Sequence, residues 1–373
     1  MSTDAVEGES PLGQANKGAL ALLGRGRASV VNIPSHWFIV CTSEELRDEP
    51  RATKLFGVPL VLFRDKQGVP GALLDRCPHR NVPLSLGDIQ SDGTLRCPYH
   101  GWRFDVQGAC TLIPSLTKPA EAKARRAHAL PVIEQQGYVW AYWAPSQDAP
   151  TLPESKPHSF ARMDDASYCT VRQVVDAPGT MYSTLENALD VPHTAFLHRG
   201  LFRSESRGIR ITAKVHRTSD RVAAEYVGEP RPPGLIGRIL SPSGGIVTHF
   251  DRFILPSVAQ VEYSIGTENH ILVDSVMTPV EDFLTRIYAV VSFRARLPHA
   301  LVKPFVKPLA LRVFQQDAFI LEKQTELIHT FGGEQFASTE IDVLGKHIWR
   351  LLRQAERGDT VGGDETSEVE LEV

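Results

Sequence analysis

The sequence predicts an α+β protein of two domains: an all-β first domain, then a mixed domain in which an antiparallel sheet carries helices. Three observations support this. At about 150 residues per domain, 373 residues make roughly 2.5 domain units, and 42% hydrophobic content can fill a core in each. Short β-type runs punctuated by Gly, Pro and Asp dominate residues 36–143. Helix-period runs appear only later, interleaved with further strand-like segments.

Residues 1–29 read as a flexible leader, acidic and polar to Lys17, with the small apolar run Gly18–Leu23 broken by Gly24-Arg25-Gly26-Arg27. That pattern lacks the uninterrupted core of an export signal. The first domain, residues 30–150, takes HWFIVCTS from His36, PLVLFRD from Pro59, GALLD from Gly71, TLRCPYHGWRFDVQG from Thr94 and GYVWAYWAP from Gly137 as strands. Asp65-Lys66-Gln67-Gly68 is a hairpin turn. The Pro- and Ser-containing stretch 146–165 marks the boundary. The second domain, residues 160–356, opens with a helical approach from Tyr182 to His198. The segments ITAKVH, GIVTHF, AQVEYSI, HILVDSVM and RIYAVVSF then suggest one antiparallel sheet. A long helix is expected over Leu309–Leu327. A last one is expected over Ile341–Gln354, with Ser338 and Thr339 as caps and Ile341, Leu344, Ile348 and Leu351 as its apolar stripe. Residues 357–373, GDTVGGDETSEVELEV at the end, read as an acidic flexible tail.

Forty Lys and Arg against 44 Asp and Glu leave a net charge of -4, too near neutral for a role driven by nucleic-acid phosphates or anionic lipid. Five cysteines are too few, and odd in number, for a disulfide scaffold. No window approaches the roughly 18 to 20 apolar residues that span a bilayer, so a soluble, cytoplasmic protein is expected.

Cys77-Pro78-His79 and Cys97-Pro98-Tyr99-His100 are two ligand-like pairs with 17 residues between His79 and Cys97. Two thiolates on one iron and two imidazoles on the other are the ligands of a Rieske [2Fe-2S] centre, where neutral nitrogen raises the reduction potential. The same four residues could hold zinc, or could be unligated core side chains. Cys41, Cys110 and Cys169 lack ligand-like neighbours and read as buried small hydrophobes. CPHRNVPLSLG at Cys77–Gly87 followed by CPYHGWRFDVQG at Cys97–Gly108 resembles the Rieske domain of ring-hydroxylating oxygenases, including the residues that flank the ligands.

A second constellation, YSTLENALDVPHTAFLHRG from Tyr182, gathers Glu186, Asn187, Asp190, His193 and His198. Mononuclear iron that binds O2 uses two histidines, one carboxylate and open positions. Five residues turn a regular helix by about 140 degrees, so convergence of His193 and His198 requires a break, for which Pro192 is the candidate. Asp317 lies among the apolar neighbours Val313, Phe314, Ile320 and Leu321 of the long helix, where a carboxylate is costly unless paired or metal-bound. A buried Asp satisfied by local donors is the alternative.

Glu186-Asn187-x-x-Asp190-x-x-His193-x4-His198 resembles the iron motif of the catalytic α subunit of Rieske non-haem iron oxygenases, and Asp317 matches the later carboxylate of their facial triad. The likeness covers about residues 30–330. It implies a helix-grip-like catalytic domain and a homotrimer in which one subunit's cluster faces its neighbour's iron. It further implies Fe(II) at His193, His198 and Asp317, and Asp190 as a bridge from His193 to His100 of the adjacent subunit. Asn187 would lie near the iron and Glu186 behind it.

No strand-to-helix G-x-G-x-x-G fingerprint is visible, and LGRGR near Leu23 lacks the spacing, so NAD(P)H electrons must arrive through a ferredoxin or ferredoxin reductase. Basic residues between Arg294 and Arg312 could dock such a partner, although a solvated helix face is the plainer reading. Between Gly244 and Ser275, Val247, Phe250, Phe253, Ile254 and Val261 suggest an apolar wall. The expected reaction is hydroxylation or oxidative demethylation of a bulky hydrophobic compound, with a steroid or sterol as candidate. Ring dihydroxylation, desaturation and a Rieske electron carrier without oxygenase activity are the alternatives.

Overall fold

The computed structural model describes residues 28, 30, 32–144, 152–198, 210–229, 247–266, 269–294, 299–359 and 363–372. The leader and the Leu23 segment lie outside the described residues apart from Ala28. The first domain contains β1 (His36–Thr42), β2 (Arg51–Leu55), β3 (Val58–Arg64), β4 (Pro70–Leu74), β5 (Asp88–Ile89), β6 (Leu95–Arg96), β7 (Arg103–Phe104), β8 (Cys110–Leu112), β9 (Ala129–Leu130), β10 (Val132–Gln135) and β11 (Tyr138–Trp143). They form three antiparallel sheets, ordered β1-β11-β10, β2-β3-β4-β9 and β5-β6-β7-β8. The expected hairpin joins β3 to β4. Asp65 Oδ1 accepts from the amides of Gln67 and Val69, at 2.9 and 2.8 Å. Gly68 supplies the positive φ of 81° that closes it.

The second domain is built on β12 (Cys169–Ala177), β13 (Arg210–Arg217), β14 (Arg221–Val227), β15 (Val247–Ile254), β16 (Val258–Ile265), β17 (Asn269–Glu281), β18 (Leu284–Arg294) and β19 (Glu365–Glu372). One antiparallel sheet orders them β12-β18-β17-β16-β15-β14-β13-β19. Its helices are α1 (Met181–Ala188), α2 (His193–Phe196), α3 (His299–Phe331) and α4 (Gly345–Arg357).

Alternation along the strands gives the sheet two coats. On one face Val222, Ala224, Phe253 and Ala259 join Leu185 and Leu189 of the α1 region in a core that also takes in Leu344, Ile348 and Leu351 of α4. On the other, Val258, Val276, Tyr288 and Val290 pack against Trp37, Ile39, Trp140 and Phe160. Backbone bonds secure this second contact: the amides of Phe56 and Gly57, both at positive φ, donate to the carbonyls of Pro279 and Val280 at 2.7 and 2.8 Å. The two domains therefore share their apolar packing.

Several boundaries differ from expectation. The long helix starts ten residues earlier, with Pro304 and Pro308 inside it, and ends at Phe331. Ile320 is 42% exposed, and the buried side is marked instead by Asp317, Leu321, Thr325 and Ile328. The last helix begins at Gly345 with no side-chain cap. Asp342 closes a separate turn onto the Thr339 amide at 2.6 Å, leaving Ile341 exposed.

The acidic end is not a loose tail. Residues 365–372 form β19, the sheet's edge strand, because Val369 and Leu371 supply a two-residue apolar period that join the core. The flanking glutamates also meet cations in register: Glu365 faces Arg217, Glu368 faces Lys214 and Glu372 faces Arg210. Arg217 and Glu365 form an ion pair at 2.6 Å. The acidic outer edge discourages addition of a further strand. Leu371→Ala is expected to lower stability by about 2 kcal/mol, measured by urea unfolding. No change would indicate a strand that contributes nothing to the fold.

Candidate metal centres

The first centre is built from two loops with the same backbone plan. After β4, the Asn81 amide donates to the Cys77 carbonyl at 2.9 Å and the Cys77 amide to the Val82 carbonyl at 2.9 Å. Between β6 and β7, the Gly101 amide donates to the Cys97 carbonyl at 3.1 Å and the Cys97 amide to the Trp102 carbonyl at 2.8 Å. The fourth residue after each cysteine takes positive φ, 62° at Asn81 and 69° at Gly101. Asn and Gly are the residues that accept this conformation with least strain.

Both thiols are buried in one apolar cluster with Leu84, Leu95 and Phe104. The rings of His79 and His100 meet edge to face, with centroids 4.5 Å apart. Trp102 stacks on His79 at 4.7 Å, a support that the sequence signalled only as a neighbour of His100. Burial pushes the Cys77 thiol up to about 11, while the amides of His79 and Arg80 pull the other way. Desolvation, with the charges of His100 and Arg80, holds His79 below the usual imidazole value.

These residues fit a two-iron cluster better than one tetrahedral ion. Among the described residues, the only group of three or more ligand atoms within 4.8 Å of one another is His193, His198 and Asp317. Cys77, His79, Cys97 and His100 instead present thiols and imidazoles as separate pairs, and His79 Nδ1 is buried without a hydrogen-bond partner among the described residues. All five cysteines are free and buried. Burial pushes Cys41 up to about 12 and Cys110 up to about 11, as inert thiols require.

The second centre arises where α1 breaks. Thr180 caps α1 by accepting from the Ser183 amide at 3.1 Å, and Glu334 reaches back to the Thr180 hydroxyl at 2.7 Å. The helix ends at Ala188, and after Pro192 the short α2 starts at His193. Asp190 caps that restart, its Oδ2 accepting from the His193 amide at 3.2 Å. The Asp190 carbonyl accepts from His193 Nδ1, and the Asp190 carboxylate is 3.5 Å from the same nitrogen. The break therefore swings His198 back toward His193, and their Nε2 atoms are 3.2 Å apart.

From α3, Asp317 Oδ1 comes within 3.1 Å of His198 Nε2 and 3.6 Å of His193 Nε2. That oxygen is buried yet has no partner with hydrogen-bond geometry, the condition expected of a metal donor. Two imidazole nitrogens and one carboxylate oxygen suit mononuclear iron with open positions. Burial opposes the charge of Asp317, but the two imidazoles outweigh it and hold the carboxyl below the usual carboxylate range. Burial likewise opposes a charged His193, while Asp190 and Asp317 bring it up to about 9.

The remaining sequence candidates take different places. Asn187 gives its carbonyl to the Asp190 amide at 3.3 Å. Glu186 packs its Cγ against the start of α4, 3.2 Å from where a Gly345 Cβ would stand. Two features escaped the sequence reading. Gln316 Oε1 is 3.0 Å from His198 Nδ1, and its one signal was adjacency to Asp317. His249 is buried between Tyr226 and Tyr263, with Glu229 at 2.7 Å and Asp251 at 3.0 Å. Although burial opposes its charge, those carboxylates push His249 up to about 9.

Burial, then the charges of Asp190 and Asp342, raise the Glu186 carboxyl to about 7. The folded chain then holds a proton that the unfolded chain releases above its ordinary value of 4.5, so this group's contribution falls as pH rises from 4.5 to about 7. Glu186→Gln removes the penalty. Its stability gain over the parent is expected to grow by on the order of 2 kcal/mol between about pH 5.5 and about pH 8. Urea unfolding of the metal-free protein at both pH values measures it, and a pH-independent difference would contradict the assignment.

Comparison with known proteins agrees with this geometry. Residues 36–134 match the Rieske [2Fe-2S] domain, and residues 180–358 match the vanillate O-demethylase oxygenase C-terminal domain. Chlorophyllide a oxygenase of Chlamydomonas reinhardtii is 38% identical over 149 residues, 40% of this chain and 22% of its own length. The phenoxybenzoate dioxygenase α subunit of Ectopseudomonas oleovorans is 32% identical over 194 residues, 48% of this chain and 46% of its own length. The chain thus spans less than half the length of these curated relatives. Dicamba monooxygenase bound to dicamba shares the fold, with a TM-score of 0.74 at 22% identity over 88% of this chain and 98% of that one. With a Rieske domain ahead of an oxygenase C-terminal domain, and with His193, His198 and Asp317 converging in the latter, the chain belongs to the Rieske non-haem iron oxidoreductases.

Proposed function

We propose that this chain is the catalytic subunit of an oxygenase that uses O2 and externally supplied electrons to hydroxylate or oxidatively demethylate a small organic molecule. The observation that carries this reading is the convergence of His193, His198 and Asp317 in a chain that also has a Rieske domain. A carrier of electrons alone has no use for the second donor set.

Cys77, His79, Cys97 and His100 would hold the cluster, and His193, His198 and Asp317 the Fe(II). When bound, the cluster supplies single electrons and the iron supplies O2 activation. The chain's own groups position these centres. The Asp190 carbonyl keeps the His193 Nδ1 proton, directing Nε2 at the site. The Asp190 carboxylate, 3.5 Å from the same nitrogen, would bridge to His100 of a neighbouring subunit in the homotrimer that the family resemblance implies. Tyr99 is 62% exposed beside His100, giving the cluster tip an open apolar flank for such a neighbour or for a ferredoxin or ferredoxin reductase fed by NAD(P)H. Lys303, Lys307 and Arg312 are exposed on α3 as a second docking candidate. No helix among the described residues is long and apolar enough to cross a membrane.

The expected apolar wall divides between the sheet's faces. Val247, Phe253 and Val261 share the helix-facing side with His249 and Asp251, whereas Phe250 and Ile254 alternate to the other. In the middle of the helix-facing side, Val261, Tyr263, Ile271 and Val273 are only half-buried. An apolar strip next to buried charge favours a compact substrate with a polar substituent over an unbroken steroid or sterol skeleton. Relatives named as a phenoxybenzoate dioxygenase and a dicamba O-demethylase fit that size class.

Iron analysis tests the reading. Three irons per chain are expected, two with a Rieske-type electron resonance signal, and His193→Ala or Asp317→Ala should remove one iron and abolish turnover. Two irons, unchanged in both variants, would leave only an electron carrier. Oxygen uptake with a surrogate reductase across methoxy-aromatics, aromatic acids and steroids ranks the substrates.

A further inference from the structure

Consecutive residues of α3 hold both nitrogens of one ring. Asp317 Oδ1 is 3.1 Å from His198 Nε2, and Gln316 Oε1 is 3.0 Å from His198 Nδ1. His198 is only 2% exposed, so bulk water does not compete for this arrangement. We propose that Gln316 is a positioning residue for the mononuclear metal: its carbonyl oxygen keeps the proton on His198 Nδ1 and leaves the Nε2 lone pair facing the site. This rests on the metal-site reading above and extends it to a residue outside the donor set.

The chemistry is that of a tautomer. A neutral imidazole has one N–H and one lone pair, and the partner of one nitrogen decides the state of the other. A proton on Nε2 would point at His193 Nε2, 3.2 Å away, and at Asp317, where a metal must bind. An acceptor at Nδ1 removes that competing form. Gln316 provides it without charge, whereas His193 has a carbonyl and a nearby carboxylate from Asp190. The two imidazoles are thus unequally supported. Because Gln316 and Asp317 are adjacent on α3, a shift of that helix moves the ligand oxygen and the tautomer-setting oxygen together.

Co(II) binding to cluster-loaded full-length protein emptied of mononuclear iron provides the test. Gln316→Leu keeps the bulk but loses the acceptor, and should weaken Co(II) by 10- to 100-fold. It should also remove or shift the slowly exchanging, hyperfine-shifted N–H proton of His198 in the NMR spectrum. Gln316→Glu, a stronger acceptor, should bind Co(II) at least as tightly as the parent and retain that proton. The cluster's visible absorption should stay unchanged in both variants. Co(II) affinity within about twofold of the parent in Gln316→Leu, with the N–H resonance intact, would overturn the proposal. Equal Co(II) binding by the parent and Asp317→Ala would overturn the metal site itself, and this inference with it.

Discussion

Everything in the second domain depends on how closely α3 approaches the chain just before α1. Asp317 can meet His193 and His198 only if the two segments touch, and at Gly179 they do: an added Cβ would stand 3.3 Å from Leu321 Cβ. One turn further along α3, Thr325 donates to the Pro178 carbonyl at 2.8 Å. Past the end of α3, Glu334 clamps the N-terminus of α1 through Thr180 and Ser183. Contacts of three kinds thus fix the separation of two elements that lie far apart in sequence, and the donor geometry follows from it.

Holding three donors together without a metal has an electrostatic cost, which the surroundings distribute. Asp317 is kept ionised by the imidazoles, and Asp190 adds negative charge behind His193. Desolvation, then repulsion from Asp190, raises the carboxyl of the half-buried Glu186 to about 7. The site thereby lessens the repulsion among three neighbouring carboxylates. His249 is a separate buried charge assembly on the sheet, and its two carboxylates make the interior more polar than the strand composition suggests.

Much of this was legible in the chain. The Cys and His spacings, the turn residues around them and the carboxylate on an otherwise apolar helix face all carry strong local chemistry, and a break between His193 and His198 followed from helix geometry alone. What escaped reading depended on partners remote in sequence. The end of the chain looks like a disordered acidic segment until β13 supplies its cations in register. Ile320 looks like a core residue until the orientation of its helix is known, and Ile341 until the helix after it is seen to start only at Gly345. Gln316 has no distinguishing composition, and becomes meaningful only when His198 is brought 3.0 Å away. The apolar wall divides for a simpler reason: strand alternation sends Phe250 and Ile254 to the face opposite Val247, Phe253 and Val261.

The two cysteine loops of the first domain have a consequence for assembly. Each closes its own turn with backbone hydrogen bonds at the same relative positions. One apolar cluster with Leu84, Leu95 and Phe104 holds the pair together, and Asn81 and Gly101 set the curvature of the loops. Ligation through these loops would release protons from their thiols, and burial pushes the Cys77 thiol up to about 11, so occupancy of the loop pair should rise with pH.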